Sequence, residues 1–110
     1  IQRGRDHGLP PYNKWRQYCG LPPAKHFKST YGGLTNHRPD VASMLAKIYN
    51  DVDDIELYVG GVSEEHAPSS AVGPTFACII ARQFYDLKYG DRFWYEKSGI
   101  FTEGKNQISV

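Results

Sequence analysis

The run RGRDHG, residues 3–8, sets Arg3, Arg5, Asp6 and His7 almost side by side, with Gly4 between the two arginines. A planar guanidinium grips a carboxylate or phosphate through two parallel hydrogen bonds, so Arg3 beside a helix end can clamp an anion. Gly4 lets another group approach the backbone closely. The competing arrangement is an ion pair of Arg3 with Asp6 that fixes the helix end, and the residue types alone favour it. The remaining candidates are weaker. His7, His26, His37 and His66 show no H-E-x-x-H pattern and no i,i+4 pairing, which points to solvated or capping roles rather than metal ligation. DVDD (51–54) and SEEH (63–66) lack the alternating ligands of a calcium loop and read as solvated acidic turns. YGGLT and VGGVSEE match no phosphate-binding glycine loop. Ser63, Ser69 and Ser70 occupy no nucleophile elbow. Cys19 and Cys78 carry no zinc or redox spacing; as a pair they are either bridged in an oxidising compartment or two buried thiols, and spacing leaves both open.

The elements that must position these residues read as helices joined by long connections. IQRGRDHG is expected to be the last two turns of a helix whose start precedes Ile1, with Gly8 ending it and Pro10-Pro11 forbidding resumption. Arg3 and His7 would then share one face and Gln2 and Asp6 the next. Asp6 would meet the negative end of the helix dipole, so it needs a partner. Tyr12, Trp15 and Cys19 fall at i, i+3 and i+7, the pattern of a short amphipathic helix over 12–18 closed by Gly20. Residues 24–37 read as a loop or a turn of helix. Pro39 opens a helix with Asp40 in its first turn and Val41, Leu45, Ile48 and Val52 on one face, ending at DVDD. IELYVGGVSEE is a short apolar strip capped by Gly60-Gly61, and HAPSSAVGP is a turn. The strongest helix runs from Val72 or Pro74 to Tyr89, with Phe76, Ile80, Phe84 and Leu87 as its stripe and Gly90 as its stop. DRFWYEKSGIF is expected to pack its aromatics across helices, and Thr102 with Glu103 to start one more helix.

Thirteen basic and twelve acidic residues leave a net charge of +1, spread along the chain. Mixed charges without a basic block argue against nucleic acid as a partner. No run approaches the ~20 apolar residues of a membrane span, and no secretory leader is present in the segment. The start at Ile1 and the apolar-bearing end at Ile108-Ser109-Val110 read as a piece of something longer.

Four motifs in order, IQRGRDHGLPPYNKWRQYCGLP, LYVGGVSEE, VGPTFACIIARQF and GDRFWYE, resemble the C-terminal part of the animal haem peroxidase superfamily, the group that includes myeloperoxidase, thyroid peroxidase, peroxidasin and chorion peroxidases. The resemblance covers nearly the whole chain. It implies a mainly α-helical fold with long loops, residues 1–110 being one partial peroxidase domain. It implies a secreted or extracellular enzyme that reduces hydrogen peroxide and oxidises halide, phenolic or tyrosyl donors with haem. By the same resemblance, haem is bound mainly by upstream residues, calcium is present in the parent protein at an upstream site, and no catalytic residue lies in this segment. Arg3 aligns with an arginine that binds a haem propionate, which reverses the preference for an Arg3 ion pair. Arg5, Asp6 and His7 take a structural role, an ion-pair network at the helix end. Cys19 and Cys78 align with a family disulfide. The segment's first partner is then the N-terminal part of the same peroxidase, without which it is expected to be inactive. The alternative is a peroxidase-like module that lacks haem chemistry and serves adhesion or protein interaction.

Overall fold

Local sequence signals close two helices at the start of the chain in the computed structural model, which describes residues 1–99. Helix α1 (Gln2–Asp6) and helix α2 (Tyr12–Tyr18) both end on a glycine in the left-handed region, Gly8 at φ 64° and Gly20 at φ 70°. In each, the two residues past the cap donate back in the Schellman pattern. Gly8 and Leu9 bond the carbonyls of Arg5 and Gly4, and Gly20 and Leu21 those of Gln17 and Arg16. Helix α3 (Pro39–Ile48) begins at the proline, a 3-10 turn (Val52–Asp54) follows, and helix α4 (Leu57–Val62) and helix α5 (Pro74–Gly90) complete the described elements. No strand occurs among the described residues, so the chain is mainly α with long connections.

The chain divides into residues 1–79 and a second unit from Ile80 onward. The first unit holds the core: Tyr12, Ala24, Leu34, Ala42, Leu45, Val52 and Ile55, with Phe27, Val41, Tyr49 and Val59 packed against it. Residues 24–37 form no helix, yet they bury Ala24, Leu34 and His37. A buried irregular backbone needs polar partners. Asn13 supplies them: its Nδ2 donates to the Ala24 carbonyl at 2.8 Å and its Oδ1 accepts from the Ala24 amide at 2.9 Å. The Tyr12 amide donates to the Ile55 carbonyl at 2.9 Å and brings the 3-10 turn against α2. A Cys19–Cys78 disulfide, Cα atoms 6.1 Å apart, joins the end of α2 to α5 and closes a 59-position loop. Closing a loop of that length stabilises a fold by ~4 kcal/mol through lost chain entropy.

Several expectations change. The buried face of α3 is Ala42 and Leu45 flanked by Val41, whereas Ile48 is exposed and Val52 belongs to the separate turn. The backbone becomes extended at Tyr49, so the 3.6-residue period that placed Val52 on that face stops there. Gly60 and Gly61 do not cap an apolar strip; they lie inside α4 and are buried. A Cβ on Gly60 would stand 2.5 Å from the Tyr12 ring, and one on Gly61 would collide with the Phe76 ring. The two glycines let aromatic rings of α2 and α5 lie directly on the α4 backbone, a requirement of packing rather than of a turn. In the second unit Ile80, Phe84 and Leu87 are exposed, as are Phe93 and Tyr95, so neither the α5 stripe nor the aromatic cluster after it packs as expected. The helix expected at Thr102 and Glu103 lies outside the described residues.

Helix propensity alone would make Gly60→Ala stabilising by up to about 1 kcal/mol. Overpacking against Tyr12 reverses the sign: urea unfolding should show Gly60→Ala destabilised by roughly 1–3 kcal/mol.

Candidate functional site

Helix α1 buries no residue and has no side-chain N-cap. Glu56, at the entry to α4, tethers its C-terminal turn. Its Oε1 accepts from Arg5 Nε at 2.5 Å and its Oε2 from the Tyr49 hydroxyl at 2.8 Å. The Arg5 hydrogen bond holds the Glu56 carboxyl below the usual carboxylate range, against the opposing effect of burial. Burial first and the Glu56 hydrogen bond second push the Tyr49 phenol up.

Beside this tether lies a cleft of 590 Å³ lined by Ile1, Arg3, Gly4, Arg5, Leu9, Pro11, Asp53, Asp54, Glu56, Leu57 and Tyr58. Arg3 is exposed and makes no ion pair or side-chain hydrogen bond with any described residue. Of the lining acids, Glu56 is held by Arg5 and Tyr49, and Asp53 accepts from Asn13 Nδ2 at 2.6 Å. Among the described residues Arg3, Asp54 and the Tyr58 hydroxyl remain as polar groups free to meet a ligand, beside the apolar side chains of Ile1, Leu9, Pro11 and Leu57. Asp6 and His7 are exposed and join no ion pair among the described residues, and Arg5 finds its partner at the entry to α4 rather than within its own helix. Neighbours one and two positions apart on a helix face different directions, which explains why the residues adjacent in sequence do not pair.

The sequence missed a second polar assembly. Glu64, expected in a solvated turn, is 3% exposed. Its Oε1 accepts from the Tyr12 hydroxyl at 2.6 Å, from the Thr75 hydroxyl at 2.5 Å and from Arg16 Nη1 at 3.3 Å. Its Oε2 accepts from the Thr75 amide at 2.9 Å. That amide is one of the unpaired donors at the start of α5, where Gly73 has no side chain to cap it. Glu64 therefore caps α5 from across the fold. Gly73 makes room, since a Cβ there would strike Glu64. Arg16 is equally buried, and its Nε donates to the Pro22 carbonyl at 3.2 Å. Burial pushes the Tyr12 phenol far up, and the Glu64 acceptor reinforces the shift. The available signal was the glycine before Pro74-Thr75, which marks a helix start without its own cap.

His37 is also buried rather than solvated, edge-on to the Tyr12 ring with centroids 5.7 Å apart. Its Nε2 lies 3.0 Å from the Gly60 carbonyl and 3.0 Å from the Ser63 hydroxyl. A carbonyl only accepts, so Nε2 carries the proton, and Nδ1 is left as a buried acceptor without a partner among the described residues. Burial holds the imidazole below the ordinary histidine value, outweighing the Gly60 carbonyl and the Glu64 charge. Among the described residues no three His, Cys, Asp or Glu side chains gather as a metal site.

Two outcomes follow from this geometry. Glu64→Gln keeps the shape of the side chain but leaves Arg16 buried without a counter-charge, and chemical denaturation should show a loss of roughly 3–5 kcal/mol. His37 takes up a proton in the unfolded chain near its ordinary value of 6.5 but, when folded, only at lower pH. Between those values the unfolded state binds more protons, so stability is full above the window and falls as pH drops through it. The unfolding free energy should decline from about pH 7 to about pH 5.5 by more in the parent sequence than in His37→Gln.

The animal haem peroxidase family model matches residues 1–109. Peroxidase-like protein 3 of Lottia gigantea is 48% identical over 109 residues, covering 96% of this chain and 34% of that protein. Thyroid peroxidase of Sus scrofa is 43% identical over 107 residues, covering 97% of this chain and 11% of that protein. Among solved structures, peroxidase A from Dictyostelium discoideum superposes with a TM-score of 0.72 at 44% identity, over 90% of this chain and 18% of that one. The chain thus spans well under half the length of the relatives it matches. Motif order, helical fold and sequence identity agree, and the chain belongs to the animal haem peroxidase family.

Proposed function

We propose that the chain is the C-terminal segment of the catalytic domain of a haem-dependent peroxidase, and that it contributes a wall of the haem site with Arg3 as the contact to a haem carboxylate. The observation that carries this reading is the Arg3 guanidinium, unpaired among the described residues, on a cleft whose other cation, Arg5, is already held by Glu56. The donor set fits the group. Among the described residues one free cation and one free anion, Asp54, with the Tyr58 hydroxyl and apolar side chains beside them, suit a flat apolar molecule anchored by a carboxylate, and disfavour a polyphosphate or nucleic-acid backbone. Bound haem supplies the redox chemistry by which hydrogen peroxide is reduced and a halide, phenolic or tyrosyl donor is oxidised. This chain's residues bind and orient: Arg3 neutralises the carboxylate, and Ile1, Leu9 and Leu57 keep water from the apolar side of the cleft.

The groups that act directly on peroxide belong to other parts of the parent protein in this reading, as does its calcium site. The remainder of the same peroxidase is the partner of this segment. The exposed Ile80, Phe84 and Leu87 on α5 support that, because an apolar stripe of this kind is ordinarily covered. The Cys19–Cys78 disulfide supports an extracellular or secreted setting, where such bonds persist. Among the described residues no helix is long and apolar enough to cross a membrane.

In the full-length protein, Arg3→Ala should speed haem loss about tenfold, the usual effect of deleting one charge-assisted contact. It should also lower the iron reduction potential, because an unneutralised carboxylate favours the more positive, oxidised metal. Unchanged haem release and unchanged potential would remove Arg3 from the site.

A further inference from the structure

Arg3 and Arg5 both line the cleft, but among the described residues only Arg5 is paired. Arg5 reaches Glu56 at 2.5 Å, and this ion pair is the one side-chain polar link from α1 to the rest of the first unit among the described residues. Glu56 is itself held from two directions. Its second oxygen accepts from Tyr49, which follows α3, and its neighbour Ile55 is fully buried and accepts the Tyr12 amide. The carboxyl thus stands beside the buried core where it grips Arg5.

We infer that Glu56 is a positioning residue for the cofactor contact: through Arg5 it fixes the rotation and place of α1, and so aims Arg3 into the cleft. The inference rests on the haem-carboxylate reading of Arg3. Glu56 touches no ligand in this scheme and acts only through α1. Tyr49 serves the same end by holding the second carboxyl oxygen, which keeps Glu56 from rotating away from Arg5. Arg5 and Arg3 therefore have separate tasks: one is spent on anchoring so that the other can be free.

The test uses the full-length protein, loaded with haem and stripped of it. In the haem-free protein, Glu56→Ala should raise amide hydrogen exchange across residues 2–9 about fivefold while leaving α2 and α3 unchanged. Glu56→Gln, which preserves side-chain shape and the Tyr49 contact, should give a smaller rise in the same residues. In the loaded protein, Glu56→Ala should speed haem loss, and should add nothing to haem loss in an Arg3→Ala background. Unchanged exchange at residues 2–9 in Glu56→Ala overturns the positioning role. So does a Glu56→Ala effect on haem loss that persists in full when Arg3 is absent. If instead Arg3→Ala leaves haem release untouched while Glu56→Ala still loosens α1, the tether stands, the haem-carboxylate reading of Arg3 fails, and with it the inference that Glu56 aims a cofactor contact.

Discussion

Glu64 is the one carboxyl group among the described residues that is taken out of water, and the first unit is assembled around it. A buried carboxylate is tolerated only when its oxygens are matched by donors, and here the donors come from three residues in two places in sequence. Tyr12 and Arg16 arrive on α2, and Thr75 arrives with both hydroxyl and amide at the start of α5. The Cys19–Cys78 bond joins the same two helices covalently. Next to this assembly the Tyr12 ring lies on Gly60, and the Gly60 carbonyl meets His37. A change at any one of these residues leaves a neighbour unpaired or overpacked, so α2, α4 and the start of α5 form a single constraint.

That constraint fixes the frame on which the cleft is built. Ile55 and Glu56 sit between the 3-10 turn and α4, where the core holds the backbone. Arg5 of α1 is tied to that frame through Glu56. Affinity for a carboxylate depends on a guanidinium that is placed in advance, since ordering a long side chain or a loose helix at the moment of binding consumes binding free energy. In the proposed reading of the cleft, the core and the Arg5–Glu56 ion pair provide that placement for Arg3.

The family resemblance was legible because it depends on order and identity of motifs, and the Cys19–Cys78 pairing it implied is present in the fold. The helix ends were legible for a different reason. Gly8 and Gly20 are closed by bonds within four or five residues, so local sequence contains all the participants. The same holds for Pro39 at the start of α3 and for Pro74 at the start of α5. The partner of Arg5 was not legible. Asp6 is its neighbour in the chain, but Glu56, 51 residues away, is its neighbour in space.

What the sequence by itself determined is the set of short-range events: where helices begin and stop, that the chain is mainly helical, and which family its motifs belong to. Only the tertiary structure decided which polar residues are inside. SEEH reads as a solvated turn until Gly73 is seen to leave a space that Glu64 fills, and VGGV reads as a cap until Tyr12 and Phe76 are seen to need bare backbone beneath them. The physical reason is common to both. Burial of a carboxylate or a glycine is decided by what stands opposite it, and the partners of Glu64, Gly60 and Gly61 lie on helices whose arrangement no local pattern records.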